Sequence, residues 1–326
     1  MDLVLIGSTG HLGYVLDGLD ELEDVRVLGV TAGSPDEQVD DVLETIRERY
    51  PDATTFADPD AALAAGPDLA VVACHFGDLA RWSRTALERD VHVYTEKPVA
   101  TTLEDLAAVE NAHKRSGGEL SAMFGYRYDD AFYTAWRQVD EGAIGDVRLL
   151  FAQKSYKLGE RPAFYRSRDR HGGLIPWVGI HAIDWLHWFA DREVQSIGAA
   201  HSRRANRDHG DLEVTAVTNV TFEEEVLATA TMDYLRPEAA PNHGDDRLRV
   251  VGTDGVIEVR EGSAWVLNAD TDGTEPVALT SAGNPFADVV ESIRTGTTPR
   301  VTAADAFQAT ETALRAREAA DSEIDY

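Results

Sequence analysis

The sequence predicts an α/β domain built on a doubly wound parallel sheet, followed by an α+β domain with an open, largely antiparallel sheet and helices on one face. In residues 1–122, apolar strands alternate with helices, the order that produces a parallel sheet. From about Asp146 the strands become longer and alternate apolar with polar residues, as in an antiparallel sheet with one packed face. A length of 326 residues also suggests two cores rather than one. We therefore assign residues 1–122 to the first domain and residues 123–326 to the second.

The first strand and the turn after it predict a dinucleotide site. Residues 2–6 form a continuous apolar run, which leads into a glycine-rich turn and an apolar helix. Glycines at such a turn let a pyrophosphate approach the backbone at the helix N-terminus. The spacing G-x-x-G-x-x-G departs from the usual G-x-G-x-x-G, and a turn without a ligand is the alternative. The predicted cofactor contacts in this turn are Gly7, Ser8, Thr9, Gly10, His11 and Leu12.

The second strand, residues 25–30, bears on the choice between NAD and NADP. In NAD-specific sites an acidic residue at the end of this strand usually binds the ribose 2′-hydroxyl. Here the strand leads into Thr31 and Ser34, with no acidic residue at its end. These hydroxyl groups could accept a 2′-phosphate, but no arginine follows closely. Thr31 is therefore a predicted cofactor contact, and the sequence leaves NAD and NADP open.

The strand at residues 68–75 ends in two further candidates for cofactor contact. Cys74 and His75 lie where the strand meets the next loop. The alternative for Cys74 is a small buried residue, and the alternative for His75 is a structural histidine in a turn. Both residues are predicted to line the cofactor pocket.

The strand at residues 91–96 places a lysine at the edge of the sheet where ligands bind. It ends in Glu96-Lys97-Pro98, because a proline cannot donate a hydrogen bond to the sheet. The residue before a proline is held in an extended conformation, which directs Lys97 off the end of the strand. Ligands of open parallel sheets bind outside the carboxyl ends of the strands. Lys97 is therefore a candidate for chemistry.

The remaining elements follow from periodicity and from turn residues. Helices are predicted over residues 35–50, 102–116, 282–294 and 303–318, the last two packing back on the sheets. Strands are predicted over residues 120–124, 147–156, 194–205, 213–222, 226–235 and 247–251. The Gly-Thr-Asp-Gly sequence at residues 252–255 predicts a hairpin turn.

A second group of polar residues lies on an apolar segment at residues 171–185. His181 and Asp184 are three positions apart, so they share a face if the segment is helical. Asp184 is then predicted to orient the imidazole of His181. The alternative is a polar pair that serves only packing.

Three stretches of the sequence resemble the glucose–fructose oxidoreductase / inositol dehydrogenase (Gfo/Idh/MocA) family. The first is Glu96-Lys97-Pro98, and the second is the segment at residues 125–128, which is similar to the family's Asn-Tyr-Arg-Phe. The third is the segment at residues 172–185, which resembles Gly-Gly-x-x-x-Asp-x-Gly-x-His-x-x-Asp. The resemblance covers essentially the whole chain. It implies an N-terminal Rossmann domain and a second domain that forms the substrate wall and often the oligomer interface.

The resemblance also implies roles for individual residues. Lys97 and His181 are the implied catalytic residues, and Glu96 and Lys97 are implied to contact the cofactor. The implied substrate-binding residues are Arg127, Trp177, His181 and Asp184. Trp177 stands where the family has an acid/base aspartate, so the sequence predicts an apolar wall there. No metal ligands are expected.

Composition limits the partners and the compartment. The chain has 58 acidic and 30 basic residues, a formal net charge of −28, so it should repel nucleic acid and anionic membranes. Only four residues are lysines, and an acidic, lysine-poor surface is typical of halophilic proteins. One cysteine and no long apolar run favour a cytoplasmic protein without disulfides. The resemblance adds a homodimer or homotetramer formed through the second-domain sheet.

Together these features predict an NAD- or NADP-dependent oxidoreductase. It would move a hydride between the nicotinamide and a carbinol or carbonyl carbon of a sugar, polyol or related small molecule. One alternative is a hydrolase or lyase of the same fold that uses bound NAD transiently to cleave glycosides. Another is a cofactor-binding protein without turnover, which the tryptophan at position 177 and the irregular glycine turn both motivate.

Overall fold

The computed structural model describes residues 1–322 of the chain. Residue contacts divide the chain into two compact units, each assembled from more than one stretch. The first comprises Met1–Gly125, Asp169–Gly172 and Gly283–Thr310; the second comprises Tyr126–Arg168, Gly173–Ala282 and the residues from Glu311 onward. The predicted second domain, 123–326, includes residues 323–326, which lie outside the described residues. The predicted boundary between residues 122 and 123 stays a prediction.

The first unit contains a six-stranded parallel sheet. Its strands are β1 Asp2–Ile6, β2 Arg26–Thr31, β3 Thr54–Thr55, β4 Leu69–Val72, β5 His92–Thr95 and β6 Leu120–Ala122. The helices between them are α1 Gly13–Glu21, α2 Asp40–Arg47, α3 Pro59–Ala64, α4 Leu79–Leu87 and α5 Leu103–His113. The strand order is β3-β2-β1-β4-β5-β6, with every pair parallel. The predicted doubly wound sheet is confirmed, and its direction of winding reverses between β1 and β4, where such sheets bind ligands.

The second unit contains an eight-stranded mixed sheet. Its strands are β7 Val147–Tyr156, β8 Val194–Ser202, β9 Thr215–Phe222, β10 Leu227–Asp233, β11 Gly244–Gly252, β12 Gly255–Arg260, β13 Ser263–Asn268 and β14 Glu275–Pro276. Their order is β14-β13-β12-β11-β7-β10-β9-β8. Only β7 and β10 pair in parallel, so the predicted open, largely antiparallel sheet is confirmed. The predicted hairpin turn joins β11 to β12.

One buried helix provides much of the core of the second unit. The helices of this unit are α6 Asp130–Asp140 and α8 Ile180–Ala190, and the short α7, Arg168–His171, lies mostly in the first unit. Every residue of α8 is buried, as expected for a helix that is largely apolar on all sides. A π-helical turn, Ile175–Gly179, leads into α8. A Cβ atom on Gly179 would collide with Met232 of β10, so the glycine permits close packing of this turn on the sheet.

Two helices close the described chain, α9 Pro285–Thr295 and α10 Ala303–Ser322. Phe286, Val289 and Val290 of α9 join the apolar core of the first unit, which also contains residues of α1 and β1. The predicted return of this helix to the parallel sheet therefore follows from its apolar face. Within residues 1–322, none of the helices combines the length and the apolar character needed to cross a membrane.

Candidate functional site

The turn between β1 and α1 offers backbone amides to an anion. Gly7 and Gly10 have φ angles of +102° and +88°, a region that favours glycine. A Cβ atom on Gly10 would also lie 2.7 Å from the side chain of Glu96. Within residues 1–322, the amides of Gly10, Leu12 and Gly13 have no hydrogen-bond acceptor. Free amides at the start of a helix fit the pyrophosphate of a dinucleotide.

A buried carboxylate that the sequence analysis missed joins this turn to the end of β2. One oxygen of Glu37 accepts hydrogen bonds from the Ser8 amide at 2.8 Å and the Thr9 hydroxyl at 2.7 Å. The other accepts from the amides of Gly33 at 3.0 Å and Ser34 at 3.1 Å. Glu37 lies beyond the strand end in an acidic stretch that resembles an ordinary solvated surface. The feature that could have revealed Glu37 is its place in the loop after β2. The residues at the end of that strand usually contact the ribose and distinguish NAD from NADP.

Three other predicted cofactor contacts lie near this edge, and their side chains are buried or half-buried. Thr31 is 1% exposed and its carbonyl accepts a hydrogen bond from Gly7. Cys74 is fully buried, and burial raises the pKa of its thiol well above the ordinary value. Burial also lowers the pKa of His75, whose amide donates to the Ser34 hydroxyl. Direct contact of these three side chains with a cofactor stays a prediction.

Lys97 lies buried at the carboxyl end of β5, next to a carboxylate–imidazole pair. The side chains of Lys97 and Glu96 are 1% and 0% exposed, and their charged atoms are 3.9 Å apart. The same Glu96 oxygen, Oε1, is 2.7 Å from Nδ1 of His11, and the His11 ring stacks on Tyr14. The second oxygen of Glu96 is buried and has no hydrogen-bond partner among residues 1–322. A buried carboxylate oxygen without a donor fits a hydroxyl-bearing ligand at this strand end.

Arg127 and Asp184, two predicted substrate-binding residues, form a buried ion pair. The Arg127 guanidinium donates from Nη2 at 2.7 Å and from Nε at 3.1 Å to the same Asp184 oxygen. Both side chains are buried, and the guanidinium lies over the ring of Trp188. The orientation of the His181 imidazole by Asp184 stays a prediction beside this ion pair. Such a pair satisfies both charges and favours a role in holding α8 in place.

His181 packs against a tyrosine that belongs to a buried polar network. Its ring is 2% exposed and lies edge-on to Tyr126, with centroids 5.0 Å apart. The ammonium group of Lys154 donates to the hydroxyls of Tyr126 and Tyr156, both at 2.7 Å. It is also 2.8 Å from Asp246, to which Tyr126 donates a hydrogen bond. The network sets the position of the ring against which His181 packs.

Lys154 is not among the site residues predicted from the sequence, although its place on strand β7 offered a signal. Leu150, Ala152 and Lys154 alternate on the buried face of β7, so a lysine occupies an inward position. Burial lowers the pKa of Lys154 to about 8, and the Asp246 carboxylate opposes that shift. Burial also raises the pKa of Tyr126 far above its ordinary value. A lysine on the core face of a strand needs polar partners in the core. Its inward position in the alternation of β7 therefore indicates a buried polar network.

Trp177 lies in the π-helical turn before α8 and is surrounded by aromatic residues. Its side chain is 9% exposed, and its ring lies edge-on to Tyr165 with centroids 6.4 Å apart. Tyr234, directly after β10, is nearly fully buried, and burial raises its pKa to about 12. An apolar aromatic surface therefore occupies the position for which the sequence analysis predicted a wall. Contact of Trp177 with a substrate stays a prediction.

Comparison with known families assigns both parts of the chain. A family model described as "Oxidoreductase family, NAD-binding Rossmann fold" matches residues 4–124. A second, described as "GFO/IDH/MocA C-terminal domain", matches residues 132–258. The two matched regions contain the glycine turn and most of the eight-stranded sheet.

Individual relatives agree with these matches. The chain is 40% identical to a Thermotoga maritima protein classed as an oxidoreductase, with a TM-score of 0.92 and coverage of 99% of this chain and 98% of that one. It is 29% identical over 216 residues to an uncharacterized oxidoreductase of Bacillus subtilis (strain 168), covering 65% of this chain and 59% of the relative. It is 27% identical over 237 residues to the scyllo-inositol 2-dehydrogenase (NAD(+)) of that organism, covering 68% and 66%. The alignments thus span less than two thirds of these two curated relatives.

Proposed function

Because the chain belongs to the Gfo/Idh/MocA oxidoreductase family, we propose that it transfers a hydride between NAD and a carbinol or carbonyl carbon of a sugar, polyol or related small molecule. The observation that carries the proposal is the buried Lys97 at the carboxyl end of β5, beside the Glu96 carboxylate. A doubly wound sheet binds its ligands at this edge. The relative that oxidises an inositol supports a substrate with several hydroxyl groups.

The residues around the glycine turn favour NAD over NADP. The free amides of Gly10, Leu12 and Gly13 would hold the pyrophosphate. The Glu37 carboxylate, held by the loops after β1 and β2, would repel a 2′-phosphate by its negative charge. When bound, the nicotinamide accepts or supplies the hydride. NADH should therefore bind more tightly than NADPH in a fluorescence titration, and Glu37→Gln should narrow the difference.

Three side chains of the chain would act on the substrate. The Lys97 ammonium would hold the reacting oxygen and stabilise its alkoxide character, an interaction that strengthens in a water-poor site. His181 would take the hydroxyl proton during oxidation and return it during reduction. Trp177 would provide an apolar surface for the carbon skeleton, since the family's aspartate is absent at its position.

The test is NADH formation by the purified protein with a panel of polyols and sugars in concentrated salt. His181→Asn should lower kcat by about 10²–10⁴-fold, the usual contribution of general acid–base catalysis. Lys97→Met should be at least as damaging to kcat, and the NADH affinity of His181→Asn should change little. Lys114→Met is the matched control, because Lys114 is an exposed lysine on the surface of the first unit.

The outcomes separate the rival functions. Near-normal turnover by His181→Asn would show that the proton takes another path. Release of a free sugar without net NADH formation would identify a glycoside-cleaving hydrolase or lyase. Tight NADH binding with no turnover of any substrate would leave a cofactor-binding protein.

A further inference from the structure

An arginine lies against two aromatic rings next to Trp177. The guanidinium carbon of Arg161 is 4.8 Å from the ring centroid of Tyr234 and 5.5 Å from that of Tyr165. Tyr165 in turn lies edge-on to Trp177. Flat aromatic faces suit a planar guanidinium and restrict its orientation. The four side chains, Arg161, Tyr165, Trp177 and Tyr234, form what we call the arginine–aromatic cluster.

The positive charge of this cluster has no counter-ion among residues 1–322. Nη2 of Arg161 donates to the backbone carbonyl of Lys157 at 3.0 Å, and Nε is buried without a hydrogen-bond partner. No carboxylate of the described residues pairs with Arg161. The chain has 58 acidic residues, and yet none of those that the structure describes pairs with this arginine. A partly buried cation without an anion is costly, and a ligand can supply the missing charge.

A second cation, Lys157, lies near the cluster. Lys157 donates from its ammonium group to the carbonyls of Glu238 at 3.0 Å and Ala240 at 2.6 Å, neither of which neutralises its charge. Burial lowers the pKa of His243, and the positive charges of Arg161 and Lys157 lower it further. The acids that act on His243 in the opposite sense are Asp246, which is paired with Lys154, and Glu238. Arg161 and Lys157 therefore both place positive charge near His243.

We propose that the arginine–aromatic cluster binds the carboxylate of the substrate, so that the enzyme acts on sugar acids or acidic polyols rather than on neutral ones. The inference rests on the proposed function and names the substrate class for it. The remaining donors of the Arg161 fork match the two oxygens of a carboxylate, the geometry in which arginine binds most specifically. An indole at position 177, where the related enzymes have an aspartate, leaves no negative charge to repel an acidic substrate.

The experiment compares substrates that differ only in the acidic group. NAD reduction is measured with glucose and glucuronate, and with glucose 6-phosphate as the phosphorylated analogue, all at one ionic strength because salt screens the attraction. Glucuronate should have a kcat/KM about 10–100-fold above that of glucose, the contribution expected from charged hydrogen bonds. Arg161→Gln should remove this preference through KM, with kcat little changed. Arg161→Lys should restore part of it, since lysine keeps the charge and loses the fork.

A binding measurement keeps the two proposals separable. Titration calorimetry of glucuronate into the protein–NADH complex should show binding by the wild type and by Arg166→Gln, an exposed arginine in the same segment. Arg161→Gln should lose at least about tenfold in affinity. Equal kcat/KM for glucose and glucuronate would overturn the inference while leaving the oxidoreductase proposal in place, and a preference for the phosphate would overturn the carboxylate assignment. Binding that depends on Arg161 without any turnover would support the acid site and overturn the proposed function.

Discussion

At the scale of single residues, Lys154 shows how this chain accommodates a cation in its interior. Its ammonium group donates hydrogen bonds to the hydroxyls of Tyr126 and Tyr156 and forms an ion pair with Asp246. The rings of Tyr126 and Tyr156 also lie 4.0 and 4.5 Å from the ammonium nitrogen. Burial still disfavours the charged form, which is why the pKa falls to about 8.

The lowered pKa of Lys154 predicts how stability changes with pH. Between pH 8 and 10 the unfolded chain keeps a proton on this lysine, whose ordinary pKa is 10.5, while the folded chain loses it. Stability should therefore rise through this range, by up to roughly 3 kcal/mol, and Lys154 should contribute no pH dependence well below pH 8. Urea unfolding at several pH values should show the rise in the wild type and not in Lys154→Met.

The exposed Lys114 again gives the control for this measurement. Lys114→Met should keep the wild-type slope between pH 8 and 10, because its ammonium group stays largely in solvent. An equal slope in Lys154→Met and the wild type would mean that Lys154 titrates alike in the folded and unfolded chain.

At the scale of elements, the turn between β1 and α1 gives its glycines different roles. Gly10 has a positive φ, and a side chain there would press on Glu96 at 2.7 Å. Gly13 is the first residue of α1 and has open space around the position of a Cβ. Of these two glycines, Gly10 alone is required by the local geometry.

The difference predicts opposite effects of two alanine substitutions. Gly10→Ala should lower stability by about 1–3 kcal/mol, through backbone strain and displacement of Glu96, and should greatly weaken NADH binding. Gly13→Ala should retain NADH binding and should change stability by no more than about 1 kcal/mol, in the favourable direction. Thermal unfolding and fluorescence titration measure both quantities. If the two variants bind NADH equally well, the free amides of this turn do not form the cofactor site.

At the scale of the whole molecule, the outer face of the eight-stranded sheet carries exposed apolar side chains. Phe151 of β7 is 45% exposed and Leu227 of the adjacent β10 is 51% exposed. The opposite face of β7, which includes Leu150, is buried in the core. A second copy of the chain offers the same apolar face, which suits a symmetric interface. The homodimer or homotetramer inferred from the family resemblance therefore stays a proposal with a defined surface.

Substitutions on this face test the proposed oligomer. Phe151→Asp with Leu227→Asp should convert the protein to a monomer in light scattering, because the charges would lie in the interface. Leu279→Asp is the matched control, since Leu279 is 49% exposed and lies outside the strands of the sheet. An unchanged mass in the double variant would place the interface elsewhere or exclude it.

The net charge of −28 predicts a dependence on salt. Repulsion among the acidic side chains opposes the compact state, and molar salt shortens the screening length to about 3 Å. The Tm should rise substantially between dilute buffer and molar potassium chloride. Sucrose at the same osmolality is the control, because it favours compact states without screening charge. A Tm that does not change with potassium chloride would remove the argument for a halophilic protein.

The sequence by itself determined the elements and the edge of the sheet at which Lys97 lies. Strand β7 occupies residues 147–156, as its alternation of apolar and polar residues predicted. Proline 98 ended β5 and placed the lysine at the carboxyl end of the strand. The strands β12–β14 were not among the predicted strands, because they are only six, six and two residues long and depend on pairing with neighbouring strands. The spacing of apolar residues reflects which face of an element is buried, so that face can be predicted from the sequence alone.

Only the tertiary structure decided which side chains become partners. Asp184 pairs with Arg127, 57 positions away, although His181 is its neighbour on the helix. Glu37 reaches Ser8, 29 positions away, and so supplies the carboxylate that the end of β2 lacks. The physical reason is that a charged side chain leaves water only where donors or counter-charges are already assembled. Those groups are brought together by the packing of elements that are distant in the sequence. The partners therefore cannot be predicted from neighbouring residues.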